Sequence, residues 1–267
     1  MIGALLRPVE ALGAAILGFL TLLGGVTRMA IEGWIMAVAP PYRLGLFFKQ
    51  MDFVGVGSIV IISITGFFTG AVFTLQSNLA FRNFGAEGFT GATVALALTR
   101  ELSPVLTGLM VTGRAGSAMA AEIGTMRVTE QIDALEVMAV NPVQYLVSPR
   151  LVASVIMLPA LTMTYNVIGM AGAWLVGVGY LGIDDSVFWT RIWLYVDPDD
   201  IIVGLIKAAC FGFVIAAVSC HRGFHAGGGA EGVGQATTRA VVISSVSILI
   251  SDYFITSLLE YGLLAGG

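Results

Sequence analysis

The chain has 267 residues, of which 57% are hydrophobic and 11% charged, and its formal net charge is −4. Soluble globular domains carry about 25% charged residues, so this composition excludes a domain that faces water on every side. The 13 basic residues are scattered, which excludes nucleic-acid binding through a basic patch, and the mean hydropathy of +0.91 predicts an all-α membrane protein.

The N-terminal segment allows two interpretations. Residues 11–27 carry no charge, and 17 positions are at the lower limit for crossing a bilayer. Charged residues flank the segment on both sides, at Arg7 and Glu10 and at Arg28 and Glu32. An interfacial helix that lies along the membrane surface is therefore the alternative to a span.

Five transmembrane helices are predicted after this segment, over residues 53–81, 89–113, 151–183, 201–220 and 240–259. The first and third contain no charged residue. The positive-inside rule orients them, because nine basic residues then lie on the cytoplasmic side and only Arg82 and Arg191 lie outside. The N-terminus is thus expected in the cytoplasm and the C-terminus outside, with an acidic, aromatic outer loop over 184–200.

The cytoplasmic stretch 114–150 begins with small residues four apart, at Gly116, Ala120 and Gly124, which allow a close helix contact within one subunit or between two. A short helix then follows, which Thr129 is expected to cap and Asn141-Pro142 to end. It combines an apolar stripe with acidic neighbours: Ile132, Leu135 and Met138 beside Glu130, Asp133 and Glu136. Such a helix could lie on the membrane or be gripped by another protein.

Four ionisable residues fall inside predicted spans: Arg100, Glu101, Lys207 and Asp252. Each costs about 2.5–3.5 kcal/mol near the bilayer centre, so it needs a partner or a wet cavity. The charges could pair internally to hold helices together, or they could line a cavity for a charged headgroup. Gln76 adds a polar amide near the outer end of the first span.

Enzyme chemistry is not expected. Neither lysine follows a glycine, as a phosphate-binding P-loop requires. His221 and His225 stand four residues apart, with Cys220 next to His221, but the glycine run that follows argues against a rigid metal site. No nucleophile has a neighbouring base, so the sequence indicates neither a catalytic nor a metal-binding residue.

Residues 99–150 read TRELSPVLTGLMVTGRAGSAMAAEIGTMRVTEQIDALEVMAVNPVQYLVSPR. This stretch closely resembles the MlaE/YrbE family of ABC-transporter permeases, which work with MCE-domain proteins. The Gln76 region, the Gly-Ile-Asp loop at 182–184, the Lys207 span and Ala-Thr-Thr-Arg at 236–239 fit as well. The resemblance extends from about residue 45 to the end of the chain.

The resemblance implies a homodimer in the bacterial inner membrane. Each subunit has an interfacial region over 1–48 and a permease domain over 49–267, with five transmembrane helices and a short cytoplasmic coupling helix. The subunit itself holds no cofactor, since ATP is bound by a separate ABC ATPase, to which a STAS-type accessory subunit can be added. A periplasmic MCE-domain protein is the other partner, and phospholipid moves between the inner and outer membranes.

Family positions carry over residue by residue. Those implied to contact lipid are Gln76, Phe81, Phe84, Arg100, Glu101, Lys207 and Asp252. Those implied to contact the ATPase are Glu130, Ile132, Asp133, Leu135, Glu136 and Met138. The main alternative is a stand-alone secondary transporter or channel that uses the buried charges for ion coupling, and would need an ion gradient in place of ATP.

Overall fold

The computed structural model describes residues 2–40 and 43–259, and all regular structure in this part is helical. The α-helices are α1 (Ile2–Val38), α2 (Leu44–Val54), α3 (Ile59–Arg82), α4 (Thr90–Ala97), α5 (Ser103–Val111), α6 (Ser117–Val128), α7 (Gln131–Val137), α8 (Ser148–Trp174), α9 (Asp185–Tyr195), α10 (Pro198–Phe224) and α11 (Gly229–Leu258). Segments 98–102, 112–116, 143–147 and 175–180 are π-helical, and 56–58 and 87–89 are 3₁₀ turns.

Six stretches of the described chain are long and apolar enough to cross a membrane: Ile16–Val38, Leu44–Arg82, Glu87–Val128, Val143–Tyr180, Pro198–Phe224 and Gly229–Leu258. The last five overlap the five predicted spans, three of them completely and the third and fifth spans up to Tyr180 and Leu258, which confirms the all-α membrane class. The second predicted span continues as helix to Val128, well beyond its predicted end near residue 113. The first of the six stretches, Ile16–Val38, overlaps the N-terminal segment for which the sequence allowed a span or an interfacial helix. Its length and composition alone leave both interpretations open.

The second half of α1 packs against one end of the helix bundle. A Cβ atom on Gly25 would lie 2.5 Å from Nε2 of His221, in the last turn of α10. The hydroxyl of Ser148, the first residue of α8, donates to the carbonyl of Gly33 at 2.7 Å. These contacts of α1 therefore lie where α8 begins and α10 ends.

α8 is the central helix, and glycines bring it into backbone contact with α3. A Cβ atom on Gly70 would lie 2.0 Å from the carbonyl oxygen of Gly169, and one on Gly172 would lie 2.2 Å from that of Phe67. Nearer the start of α8, a Cβ atom on Gly212 of α10 would lie 2.4 Å from the carbonyl oxygen of Ser154. The hydrophobic effect does not drive helix association in lipid, because lipid tails are as apolar as the side chains. Close van der Waals packing of this kind therefore holds these helices together.

A break between α2 and α3 is closed by a charged residue from another helix. α2 ends at Val54, with Gly55 as its C-cap residue, which leaves carbonyl groups without helical partners. Arg114, in the π-helical segment 112–116, donates to the carbonyls of Phe53 and Val54 and, at 2.8 Å, to the hydroxyl of Ser58. Arg114 thus joins two long helices, a role that its expected place after the second span did not indicate.

The small residues just before and within α6 face neighbours in the same chain. A Cβ atom on Gly116 would lie 3.1 Å from Ile215 of α10, and one on Gly124 would lie 3.2 Å from Ala226. Gly116 and Gly124 therefore make a close helix contact within one subunit, which is one of the two expectations for this stripe.

The short helix α7 begins without the predicted cap. The Thr129 hydroxyl donates to the carbonyl of Thr125 at 2.8 Å, while Glu130 occupies the N-cap position with a φ of 58° and makes no side-chain capping bond. The prediction that Thr129 caps α7 was wrong, because its hydroxyl bonds back to a carbonyl one turn earlier. α7 also ends at Val137, ahead of the proline that was expected to stop it.

α9 lies at the opposite end of the bundle, as the outer loop does in the predicted orientation. Its Phe188 side chain is buried, and a Cβ atom on Gly91 would lie 2.8 Å from the Phe188 ring. Trp193 and Tyr195 stay exposed, at 81% and 44%. Exposed aromatic side chains at one end of an apolar bundle are typical of a membrane–water interface.

Candidate functional site

The intramembrane charges come together around Lys207. Its ammonium nitrogen lies 2.7 Å from a carboxylate oxygen of Glu101 and 3.1 Å from one of Asp252. It also donates to the carbonyl of Arg100 at 3.1 Å. Three helical segments, 98–102, α10 and α11, therefore meet at one cation, and the Lys207 side chain is fully buried between them. We call Arg100, Glu101, Asp200, Lys207 and Asp252 the charged cluster.

Asp200 is the member of this cluster that sequence reasoning missed. Its Oδ1 lies 3.5 Å from Nε of Arg100, while Oδ2 accepts the backbone amide of Asp197 at 2.9 Å. Asp197 and Asp200 form a capping box at the start of α10. The sequence signal was present as an Asp-Pro-Asp-Asp start of a helix, but capping alone explains that pattern.

A π-helical turn presents the Arg-Glu pair. Residues 98–102 are π-helical between α4 and α5, so this helix carries one extra residue in that turn. Such bulges are frequent at functional sites, and the extra residue rotates the following residues relative to the preceding ones. Arg100 reaches Asp200 and Glu101 reaches Lys207, so both members of the pair point to α10.

The cluster has a closed side and an open side. Lys207 has no exposed side-chain surface, whereas Glu101 keeps 42% and Arg100 keeps 32%. Within this chain Lys207 and Asp252 pair with each other, and contact of either residue with lipid stays a prediction. The open side presents a guanidinium beside a carboxylate, which can bind a phosphate and an ammonium group, respectively.

Three predicted lipid-contact residues lie elsewhere. Gln76 is exposed on α3, Phe81 is half-buried, and Phe84 is 85% exposed just beyond the end of α3. In the described ranges, no hydrogen bond or ion pair joins any of them to the charged cluster within this chain. Their role in binding lipid stays a prediction.

The predicted ATPase-contact residues divide into two sets. Glu130, Asp133, Glu136 and Met138 are exposed, and so is Val137, at 89%. Ile132 is 1% exposed and packs in an apolar cluster with Ile123, Leu146 and Leu151, with Leu135 against its edge. Ile132 thus anchors α7 to the bundle and leaves the acidic face open.

Comparison with known proteins identifies the family. A family model described as permease MlaE matches residues 47–258. A probable ABC transporter permease protein of Rickettsia felis is 44% identical over 95% of this chain and 98% of the relative. The intermembrane phospholipid transport system permease protein MlaE of Haemophilus influenzae is 39% identical, over 94% of this chain and 97% of the relative. The chloroplastic protein TRIGALACTOSYLDIACYLGLYCEROL 1 of Arabidopsis thaliana is 40% identical, over 80% of this chain and 61% of its own length. The chain therefore belongs to the MlaE family of permeases.

Proposed function

We propose that this chain is the membrane subunit of an ATP-driven transporter that moves phospholipid between the inner and outer membranes of a bacterium. Two copies form a dimer in the inner membrane, with the N-terminus in the cytoplasm and the C-terminus in the periplasm. A separate ABC ATPase, with a STAS-type accessory subunit, binds ATP on the cytoplasmic side, and an MCE-domain protein docks on the periplasmic side. The observation that carries the proposal is membership of the MlaE family together with the likeness to the Haemophilus phospholipid permease.

The charged cluster supports a lipid substrate. Its open side offers Arg100 to a headgroup phosphate and Glu101 to a headgroup amine. A headgroup phosphate would compete with Asp200 for Arg100, and the contact between these two residues, at 3.5 Å, is longer than either contact of Lys207. Lys207 and Asp252 lie behind this open side, and Lys207 holds Glu101 in position there.

The exposed acidic face of α7 supports a cytoplasmic partner. Glu130, Asp133 and Glu136 are exposed at and along α7, whereas Ile132 is buried against the bundle, so a partner would meet the acidic side. An ATPase that grips this face can push on the permease. Transport then requires the two permease states to bind lipid with different affinity.

Purification with bound partners tests the assembly. The tagged chain, extracted in mild detergent from a strain with its native neighbours, should bring down an ATPase, an MCE-domain protein and phospholipid, all identified by mass spectrometry. A chain that purifies without an ATPase and transports only with an ion gradient would contradict the proposal in favour of a secondary transporter.

The lipid site is tested by Arg100→Gln. In proteoliposomes with ATP, we expect phospholipid transport to fall about ten-fold or more, since a charge-assisted contact is lost. The control is Arg82→Gln, which removes an exposed arginine 4.0 Å from Glu87. Unchanged transport in a folded Arg100→Gln complex would rule out a headgroup contact at this residue.

A further inference from the structure

Two ion pairs link α7 to α8 through α6, at the cytoplasmic end of the bundle. Arg127 Nη1, in the last turn of α6, lies 2.6 Å from Oδ1 of Asp133 in α7. One and a half turns earlier in α6, Glu122 Oε2 lies 2.7 Å from Nη2 of Arg150 in the first turn of α8. The corner formed by α6 and α7 is thus attached to the start of the central helix.

Arg150 differs from the other charged residues of this corner. Its side chain is only 3% exposed, whereas Glu122, Arg127 and Asp133 are exposed by 56%, 42% and 52%. A second nitrogen of its guanidinium donates to the carbonyl of Leu146 at 2.7 Å. A guanidinium with two fixed hydrogen bonds holds one geometry, so the Arg150 side chain ties the 143–147 segment and α6 into one unit.

An apolar contact runs parallel to these ion pairs. Ile132 of α7 is buried in the cluster that also contains Leu146, Val147 and Leu151, on either side of Arg150. The residues just before α8 are π-helical, over 143–147, a conformation that is frequent at functional sites. A displacement of α7 therefore reaches α8 at its first turn, through one apolar and one charged contact.

We propose that Arg150, held by Glu122, is a positioning residue that transmits movement of α7 to α8 during the transport cycle. The inference rests on the proposed function, in which an ATPase pushes on α7. α8 then passes the movement to α3 and α10, since its glycine contacts with α3 leave no slack between the two backbones. Arg150 itself contacts neither ATPase nor lipid in this scheme.

The test compares the lipid moved per ATP hydrolysed in proteoliposomes that contain the permease with its ATPase. Glu122→Gln keeps the size of the side chain and removes its charge. We expect ATPase capture and ATP hydrolysis close to wild type, and a lipid-to-ATP ratio lower by about five-fold or more. Glu122→Asp, which keeps the charge, should recover part of the ratio. Glu87→Gln is the matched control, because its partner Arg82 lies at the opposite end of the bundle.

Three outcomes would overturn the inference. A lipid-to-ATP ratio equal to wild type in Glu122→Gln would mean that the ion pair transmits nothing. A lower melting temperature with an unchanged ratio would make it a structural contact only, and loss of ATPase capture would make Glu122 a docking residue. A wild-type complex that hydrolyses ATP without moving lipid would instead overturn the proposed function, and this inference with it.

Discussion

Lys207 shows how one buried cation can determine both the packing and the chemistry of a membrane site. Two carboxylates, on segment 98–102 and on α11, face the same ammonium nitrogen. Without the cation, Glu101 and Asp252 would repel each other and lose their only close cationic partner among the described residues. The residue therefore holds α10, α11 and the π-helical turn together.

Lys207→Met is predicted to destabilise the fold. Removing one partner of a buried ion pair costs about 3–5 kcal/mol, and we expect the lower end because water can reach Glu101. The free energy of unfolding in mixed micelles, followed by titration with sodium dodecyl sulfate, measures this loss. Arg82→Met, at an exposed pair, should change it by less than about 1 kcal/mol.

A triple variant, Lys207→Met with Glu101→Gln and Asp252→Asn, separates packing from function. It leaves no unpaired charge, so most of the lost stability should return. Transport should stay low, because the open side no longer carries a carboxylate. Full recovery of transport along with stability would show that the charges serve packing alone.

Asp184 gives a pH-dependent contact outside the membrane spans. The Ser186 hydroxyl and, second, the Val187 amide donate to its carboxylate, which lowers the pKa of Asp184 below the usual range for aspartate. A lowered folded-state pKa means that the stabilisation is present above the unfolded-state pKa and is lost as pH falls through the folded value. We expect hydrogen-exchange protection of the Val187 amide, corrected for intrinsic rates, to be lower at about pH 3 than at pH 7.

Asp184→Asn is the control for that measurement. Asparagine caps helices as well as aspartate does and does not titrate, so protection at Val187 should no longer depend on pH. The same pH response in wild type and in this variant would assign the effect to another group.

At the scale of elements, α3 and α8 approach closely because glycines without side chains lie at their contact. Gly70→Ala would place a methyl group 2.0 Å from the Gly169 carbonyl oxygen, and a backbone atom cannot rotate away as a side chain can. We expect a loss of about 1–3 kcal/mol in the free energy of unfolding, measured in the same micelle titration.

Gly234→Ala is the matched control for this helix contact. Gly234 lies within α11 and has no heavy atom within 4 Å of the position that a Cβ atom would take. Alanine is favoured over glycine in a helix by about 0.5–1 kcal/mol, so this variant should be as stable as wild type or more stable. Equal losses in both variants would mean that glycine flexibility, and not the close approach, matters at Gly70.

At the scale of the whole molecule, the sequence predicted the features that depend on the composition of a single segment, namely the membrane spans and the charges within them. Five spans followed from runs of apolar residues, and the intramembrane location of Arg100 and Lys207 followed from their place in those runs. Which charges pair depends on how helices pack, and hydropathy carries no information on that. Asp200 was missed because helix capping already explained its position in the sequence. The contact of Arg114 with the break between α2 and α3 was missed because helix 87–128 continues past the apolar run.

The placement of α1 is the topological question that composition left open, and its contacts favour one answer. Gly25 touches the last turn of α10, and the Ala39 carbonyl, just after α1, accepts the Gln144 side-chain amide at 3.0 Å, ahead of α8. These points lie about 20 Å apart along α1, at 1.5 Å per residue, yet both meet the same end of the bundle. A helix that crossed the bilayer beside α8 and α10 would instead contact their two ends in turn.

We therefore expect α1 to lie along the cytoplasmic surface of the membrane, with both of its ends on that side. In a background without Cys210 and Cys220, single cysteines at Ala14 and Gly228 should react with a membrane-impermeant maleimide only after the inner membrane is broken. A cysteine at Ser186, ahead of α9, should react in spheroplasts with an intact inner membrane. Reaction at Ala14 but not at Gly228 in intact spheroplasts would mean that α1 crosses the bilayer, and the permease would then have six spans with its N-terminus outside.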